Sequence, residues 1–212
     1  MTSKTKRSID SLPGRWKFAA FCAVLAFAGG VRAQVTSKPF SADMIKTSHN
    51  KTTTAKVNVI ATAIRTEGVQ NGQKFITIMR YDRNVLWSIM PDQKMYFEMP
   101  IPAGAQMASG MKEMMKGMDV KRESLGSEQV NGFLCDKTKM IVTWQGITAT
   151  SIQWAAKDLG GFTVKTLDER TGDTTEYKDI HPGPQDASLF ELPAGFKKMD
   201  MRGMTGRQSS EN

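Results

Sequence analysis

From Phe40 onward the chain alternates between short runs rich in Val, Ile, Thr and aromatic residues and clusters of Gly, Asn, Asp and Pro. The runs read as β-strands and the clusters as turns. Ala55–Thr66 forms the first long run. It sets Val57, Val59, Ala61 and Ala63 on one face and Asn58, Ile60, Thr62 and Ile64 on the other. A turn is expected over 67–72, then strands Lys74–Tyr81, Val85–Met90 and Lys94–Met99, separated by Asp82-Arg83-Asn84 and Pro91-Asp92-Gln93. Further strands are expected at Val120–Gln129, Gly132–Trp144, Ile147–Ala156, Phe162–Glu169 and Thr174–Ile180. Sequential strands joined by short turns imply an antiparallel meander. Several are apolar on both faces, so both sides of the sheet need cover, from a helix or from a ligand.

The period changes once. After Pro100-Ile101-Pro102-Ala103-Gly104, the residues Met107, Met111, Met114, Met115 and Met118 follow the spacing i, i+4, i+7, i+8, i+11. They share an arc of about 100°, the stripe of an amphipathic helix. Gly110 and Gly117 each weaken that helix by about 1 kcal/mol relative to alanine, so it has to lie against something apolar. Methionine is unbranched and polarizable and suits surfaces that accept varied apolar shapes. Three readings stay open: a mobile lid over a lipid-sized cavity, an ordinary helix completing the core, and Cu(I) capture by thioethers.

The first 33 residues change the composition of everything after them. Lys4, Lys6, Arg7, Arg15 and Lys17 precede the uncharged run Phe18–Ala28, and small residues lead to Ala33. This is the pattern of a secretory signal peptide, with cleavage expected after Ala33. The apolar run has 11 residues, short of the ~20 a spanning helix needs. Removing 33 of 212 residues leaves 179, enough for one domain. Six of 29 basic and one of 21 acidic residues leave with the signal, so 23 and 20 remain and the net charge falls to about +3. The basic surface that nucleic-acid binding requires goes with it. Cys135 becomes the sole cysteine, so no internal disulfide forms, and a lone thiol reads as a buried small hydrophobe. The expected organisation is 1–33 signal peptide, 34–199 a single domain, and 200–212 a disordered tail, with no transmembrane span after cleavage.

Catalytic chemistry is sparse. His49 and His181 are the two histidines. The chain has no Gly-x-Ser-x-Gly elbow, CxxC pair, His-Glu-x-x-His or phosphate loop. The expectation is therefore a non-enzyme without catalytic residues, resident metal or cofactor.

The segment Gly126-Ser-Glu128-Gln-Val130-Asn-Gly132-Phe-Leu-Cys135-Asp-Lys137 has the form Gly-x-Glu-x-Val-x-Gly-x-x-Cys-x-Lys. Trp154, Asp158-Leu159-Gly160 and Lys165 follow, and the expected domain ends with Phe190-Glu191-Leu-Pro193-Ala-Gly195-Phe196. This set resembles an uncharacterised family of secreted bacterial proteins, a domain of unknown function that is similar to the LolA and LolB lipoprotein carriers. The resemblance implies a mainly β fold with helices (α+β). Its curved antiparallel sheet would form an incomplete barrel, closed here by the Met-rich helical lid. It also implies a periplasmic location. On this reading the protein binds a lipid, acyl chain or lipoprotein anchor. The lid contacts would be Met107, Met111, Met114, Met115 and Met118, and the wall residues Trp87, Phe97 and Trp144. The expected partner is a hydrophobic ligand or lipidated protein. An envelope protein-interaction or sensor module without ligand is the alternative, ahead of Cu(I) binding; a small outer-membrane barrel fits the Met-rich segment poorly.

Overall fold

The computed structural model describes residues 38–49, 51–101, 118–144 and 146–199. The signal peptide, the polar tail and the stripe residues Met107, Met111, Met114 and Met115 lie outside the described residues. Twelve strands form one sheet: β1 Phe40–Ser48, β2 Lys51–Ile60, β3 Ala63–Gln70, β4 Gln73–Arg80, β5 Val85–Met90, β6 Met95–Pro100, β7 Met118–Val130, β8 Phe133–Trp144, β9 Ile147–Ala156, β10 Phe162–Asp168, β11 Thr174–Pro182 and β12 Lys197–Lys198. Their order is β12-β6-β5-β4-β3-β2-β1-β11-β10-β9-β8-β7. Two meanders, β1–β6 and β7–β11, are thus joined by antiparallel pairing of β1 with β11. Among the described residues only β12 runs parallel to its neighbour, β6.

The turns follow local chemistry where the residues allow. Asn71-Gly72 and Asn131-Gly132 both take positive φ (53° and 78°, 50° and 83°), the geometry two-residue hairpins favour because it matches strand twist. The break inside Ala55–Thr66 is different. Expected as one strand, it is two: the chain turns at Ala61-Thr62 and pairs back, Ile60 against Ala63 and Val59 against Ile64. Val59 and Ile64 therefore share a face, and Ala63 lies on the other.

The expected helical content is corrected. Helices were expected, but the helical elements among the described residues are 3-10 turns at Pro91–Gln93, Lys157–Leu159 and Ala187–Phe190. Met118, the last residue of the proposed helical stripe, opens strand β7 opposite Trp144. The antiparallel sheet itself is as expected and does not close, with β7 and β12 as its two edges. It curls nonetheless. Asn131, at the tip of the β7–β8 hairpin, donates from Nδ2 to the Tyr177 carbonyl at 2.8 Å and to Glu176 at 3.1 Å. Those residues lie on β11, three strands from β8, about 14 Å away in a flat sheet. Irregular register in β7 near Gly126, in β10 near Val164 and in β11 near Asp179 supplies the bends.

Two apolar clusters hold the sheet. One gathers Phe40, Val57, Val59, Cys135, Trp154 and Val164, with Phe162 set edge-on between Phe40 and Tyr177. Burial there pushes the Tyr177 hydroxyl up to about 12. The other gathers Ala63, Ile78, Trp87 and Ile89 beneath Phe190.

Candidate functional site

Strands β3–β6 present two faces of different character. One carries Ile76, Ile78, Trp87, Ile89 and Tyr96, covered by the returning C-terminal segment through Leu189, Phe190, Leu192 and Phe196. Polar groups fix that cover. The buried guanidinium of Arg80 donates to both carboxylate oxygens of Asp82 (2.9 and 2.7 Å), to the Phe190 carbonyl (3.1 Å) and to Glu191 (2.7 Å). Arg83 forks onto the same Glu191 at 2.7 and 2.8 Å. Arg83, then Arg80, hold the Glu191 carboxyl below the usual glutamate range. Arg65 donates to the Leu189 carbonyl at 3.0 Å. Glu98 accepts from Lys198 (2.6 Å) and from Trp87 Nε1 (3.0 Å), which ties in β12.

The opposite face is built by the alternate residues of the same strands. Register places Met79, Leu86 and Met99 in one cross-strand row and Thr77, Ser88 and Phe97 in the next. Met90 faces Met95 beyond them, beside Phe75. All of these are half-buried. Among the described residues none of the apolar ones packs into either core cluster. The Phe75 ring occupies the room Gly68 leaves: a Cβ there would meet that ring at 3.1 Å and the Thr54 carbonyl at 3.0 Å. At the end of this wall a shallow pocket of about 110 Å³ opens between the β3–β4 turn and the Pro91–Gln93 turn, with Phe75 and Met90 in its lining.

The sequence-derived wall residues fall in three places. Phe97 is on this apolar face. Trp87 is on the other face of the same sheet, under Phe190. Trp144 is exposed at the far end of β8, between Met118 and Ile147. Sequence reading missed Phe75, Met79, Leu86, Met90, Met95 and Met99. Alternation sets Phe75, Met79, Leu86 and Met90 opposite Ile76, Ile78, Trp87 and Ile89 along β4 and β5, but alternation alone does not say which face stays outside the core.

The Gly-x-Glu…Cys-x-Lys motif forms a second cluster. Glu128 accepts from Lys137 Nζ (2.7 Å) and Trp154 Nε1 (3.1 Å), and Lys137 and Lys165 each stand 5.1 Å from the Trp154 ring. The two lysines come from β8 and β10, which flank Trp154 on β9. Cys135 is fully buried, and burial raises its thiol above the ordinary range. Glu128, Cys135 and Lys137 thus each have a packing or bonding role within the β7–β10 part of the sheet.

A family model described as a domain of unknown function (DUF4412) matches residues 40–160, from the start of β1 to the turn after β9. The chain belongs to the DUF4412 family. Among curated proteins no sequence matches it. The DUF4412 chain shares its fold with an uncharacterized conserved protein from Thermus thermophilus, at 13% identity and a TM-score of 0.53, over 77% of this chain and 91% of that one. Looser likenesses include a putative outer membrane lipoprotein-sorting protein domain from Vibrio parahaemolyticus (15% identity, 72% and 89% coverage, TM-score 0.30). Another is the MucA/MucB complex of Pseudomonas aeruginosa (12% identity, 74% and 56% coverage, TM-score 0.46). No helix among the described residues of the DUF4412 chain is long and apolar enough to cross a membrane.

Proposed function

We propose that this is a non-enzymatic protein of the bacterial periplasm that binds an acyl chain, either of a free lipid or of a lipoprotein anchor, on the apolar face of β4–β6. The observation that carries the reading is a sheet with one face covered by its own C-terminal segment, while Phe75, Met79, Leu86, Met90, Phe97 and Met99 on the other stay outside both cores. Apolar side chains aligned on one sheet face and absent from the core are what a ligand-binding wall requires. All but Leu86 are methionine or phenylalanine, residues that tolerate chains of varied shape. Burial of a chain contributes about 0.8 kcal/mol per methylene. The segment that carries Met107, Met111, Met114 and Met115 connects β6 to β7 in sequence, and its role in this proposal is to cover the bound chain; Met118 already belongs to β7.

Fluorescent fatty-acid uptake by the purified mature protein, with native mass spectrometry for co-purified lipid, tests the reading. Uptake that is saturable and lost in the double variant Leu86→Asp, Phe97→Asp supports it. A protein that takes up no probe and carries no lipid ends it.

A second reading is a protein-interaction module that takes no ligand. It is favoured by the 13-residue edge strand β7 and by the exposure of Trp144 (43%), which pairs with its first residue, and of Ile147 (71%), which pairs with Trp144. A sheet edge next to exposed apolar groups is a template for strand addition by a partner. Pull-down of an envelope protein that is lost on Lys121→Pro, with fatty-acid uptake absent throughout, would favour this reading over the first.

A further inference from the structure

The shallow pocket at the end of the wall has a rim unlike its floor. Phe75 and Met90 lie on the apolar face of the sheet, and the rim carries three amides, Gln70, Gln73 and Gln93. Gln70 and Gln73 face each other across the Asn71-Gly72 turn, on the same side of the sheet as Phe75. Its charged members, Lys74 and Asp92, are of opposite sign. They are tied together at the backbone, where the Lys74 amide donates to the Asp92 carboxylate at 3.2 Å. All five rim residues are exposed, while Phe75 and Met90 are half-buried.

We infer that this pocket is the headgroup subsite for the ligand proposed above, and that the head it takes is a small uncharged polyol of about glycerol size. The inference rests on the acyl-chain reading and adds the chemical class of the head. Three lines of chemistry converge on it. An amide side chain offers both donors and an acceptor, so three of them match vicinal hydroxyls, which need both; a carboxylate or phosphate only accepts and would leave the amide oxygens facing a like partner. The rim charges cancel, so an anionic head gains from Lys74 and loses to Asp92. Finally, a pocket of about 110 Å³ has room for a head of a few heavy atoms, such as a three-carbon polyol, and not for a bulky one. A chain leaving such a head runs directly over Phe75 and Met90 onto Met95 and Phe97.

The test is isothermal titration calorimetry of the full mature chain with 1-monomyristoylglycerol, myristate and 1-tetradecanol, which share one chain length and differ in the head. The polyol head should bind about tenfold more tightly than either of the other two, the worth of one to two satisfied hydrogen bonds. The double variant Gln73→Leu, Gln93→Leu should bring the monoglyceride to within about twofold of tetradecanol and leave tetradecanol binding unchanged. Both positions are exposed, so the variant is expected to keep the wild-type circular dichroism spectrum. Equal affinity for the three probes, a preference for myristate, or a preference that survives the double variant overturns the polyol assignment while the acyl-chain reading stands. Failure of all three probes to bind removes the acyl-chain reading and the polyol assignment together.

Discussion

Arg80 reaches Glu191 across 111 residues of sequence, Nη1 to carboxylate at 2.7 Å, and does so from within the sheet. The same guanidinium holds Asp82 and the Phe190 carbonyl. Removing it leaves a buried carbonyl without its donor, strips Asp82 of its counter-charge and leaves Glu191 with Arg83 alone. Arg80→Ala should therefore cost about 2 kcal/mol in urea unfolding, most of it from the orphaned Phe190 carbonyl. Arg83→Ala, at a pair that is nearly half exposed on both sides, should cost under about 1 kcal/mol. Equal losses at the two positions would show that the C-terminal cover is not hung on Arg80.

The same contact sets a pH dependence. Glu191 and Asp82 have folded-state pKa values below their ordinary ones, through Arg83 and Arg80 for the first and through Arg80 for the second. A depressed carboxyl pKa contributes stability that is complete above its unfolded value, about 4.3 for glutamate, and is lost as pH falls through the folded value. Stability should be flat from neutral pH down to about 5 and fall below about 4. In Glu191→Gln the acid slope should be shallower and the neutral-pH stability lower. An unchanged slope in thermal melts between about pH 3 and 7 would count against the assignment.

Gly68 leaves room for Phe75 to lie against the sheet. Its backbone is not in the left-handed region, so substitution is opposed by space alone. Gly68→Val should lift the Phe75 ring, cost about 1–3 kcal/mol, and lower fatty-acid uptake beyond what the stability loss explains. Gly68→Val paired with Phe75→Ala should recover part of the stability but not the uptake.

Trp154 is bonded through Nε1 to Glu128 and flanked by two lysines. Trp154→Phe should cost about 1–2 kcal/mol, through the lost bond and the weaker cation–π contacts. Glu128→Gln, which keeps an acceptor for the indole, should cost less. Both are read by denaturant unfolding.

Cys135 is fully buried, with its thiol shifted upward. A thiol-specific reagent at about pH 8, near the ordinary thiol range, should label the protein only as fast as it unfolds. Labelling of the native state within minutes would place the thiol at the surface.

Much of the sheet was legible because its information is local. Ile147–Ala156 and Val85–Met90 were bounded correctly from alternation and turn residues, and Asn131-Gly132 announced its hairpin. The Ala61-Thr62 turn escaped because neither residue is a turn former and no positive φ is required there; the chain reverses for the sake of pairing. The β1–β11 pairing and the Arg80–Glu191 contact are long-range, and no local pattern encodes them. At the candidate site, Phe97 was named and its row was not, because a face can be assigned only when register is known. Trp87 pairs with Glu98, whereas Ser88 pairs with Phe97, so one residue of register separates the covered face from the open one.

The pairing of β1 with β11 has a consequence for how the chain matures. The first strand to be synthesised is central in the finished sheet, flanked by its immediate successor and by a strand that begins only at Thr174. Half of its hydrogen-bonding edge must therefore wait until almost all of the domain has emerged. Contacts so distant in sequence form slowly, and an idle apolar edge invites wrong pairing meanwhile. A chain cut short before Thr174 is thereby left as two unjoined, aggregation-prone meanders, β1–β6 and β7–β10, rather than a smaller folded unit.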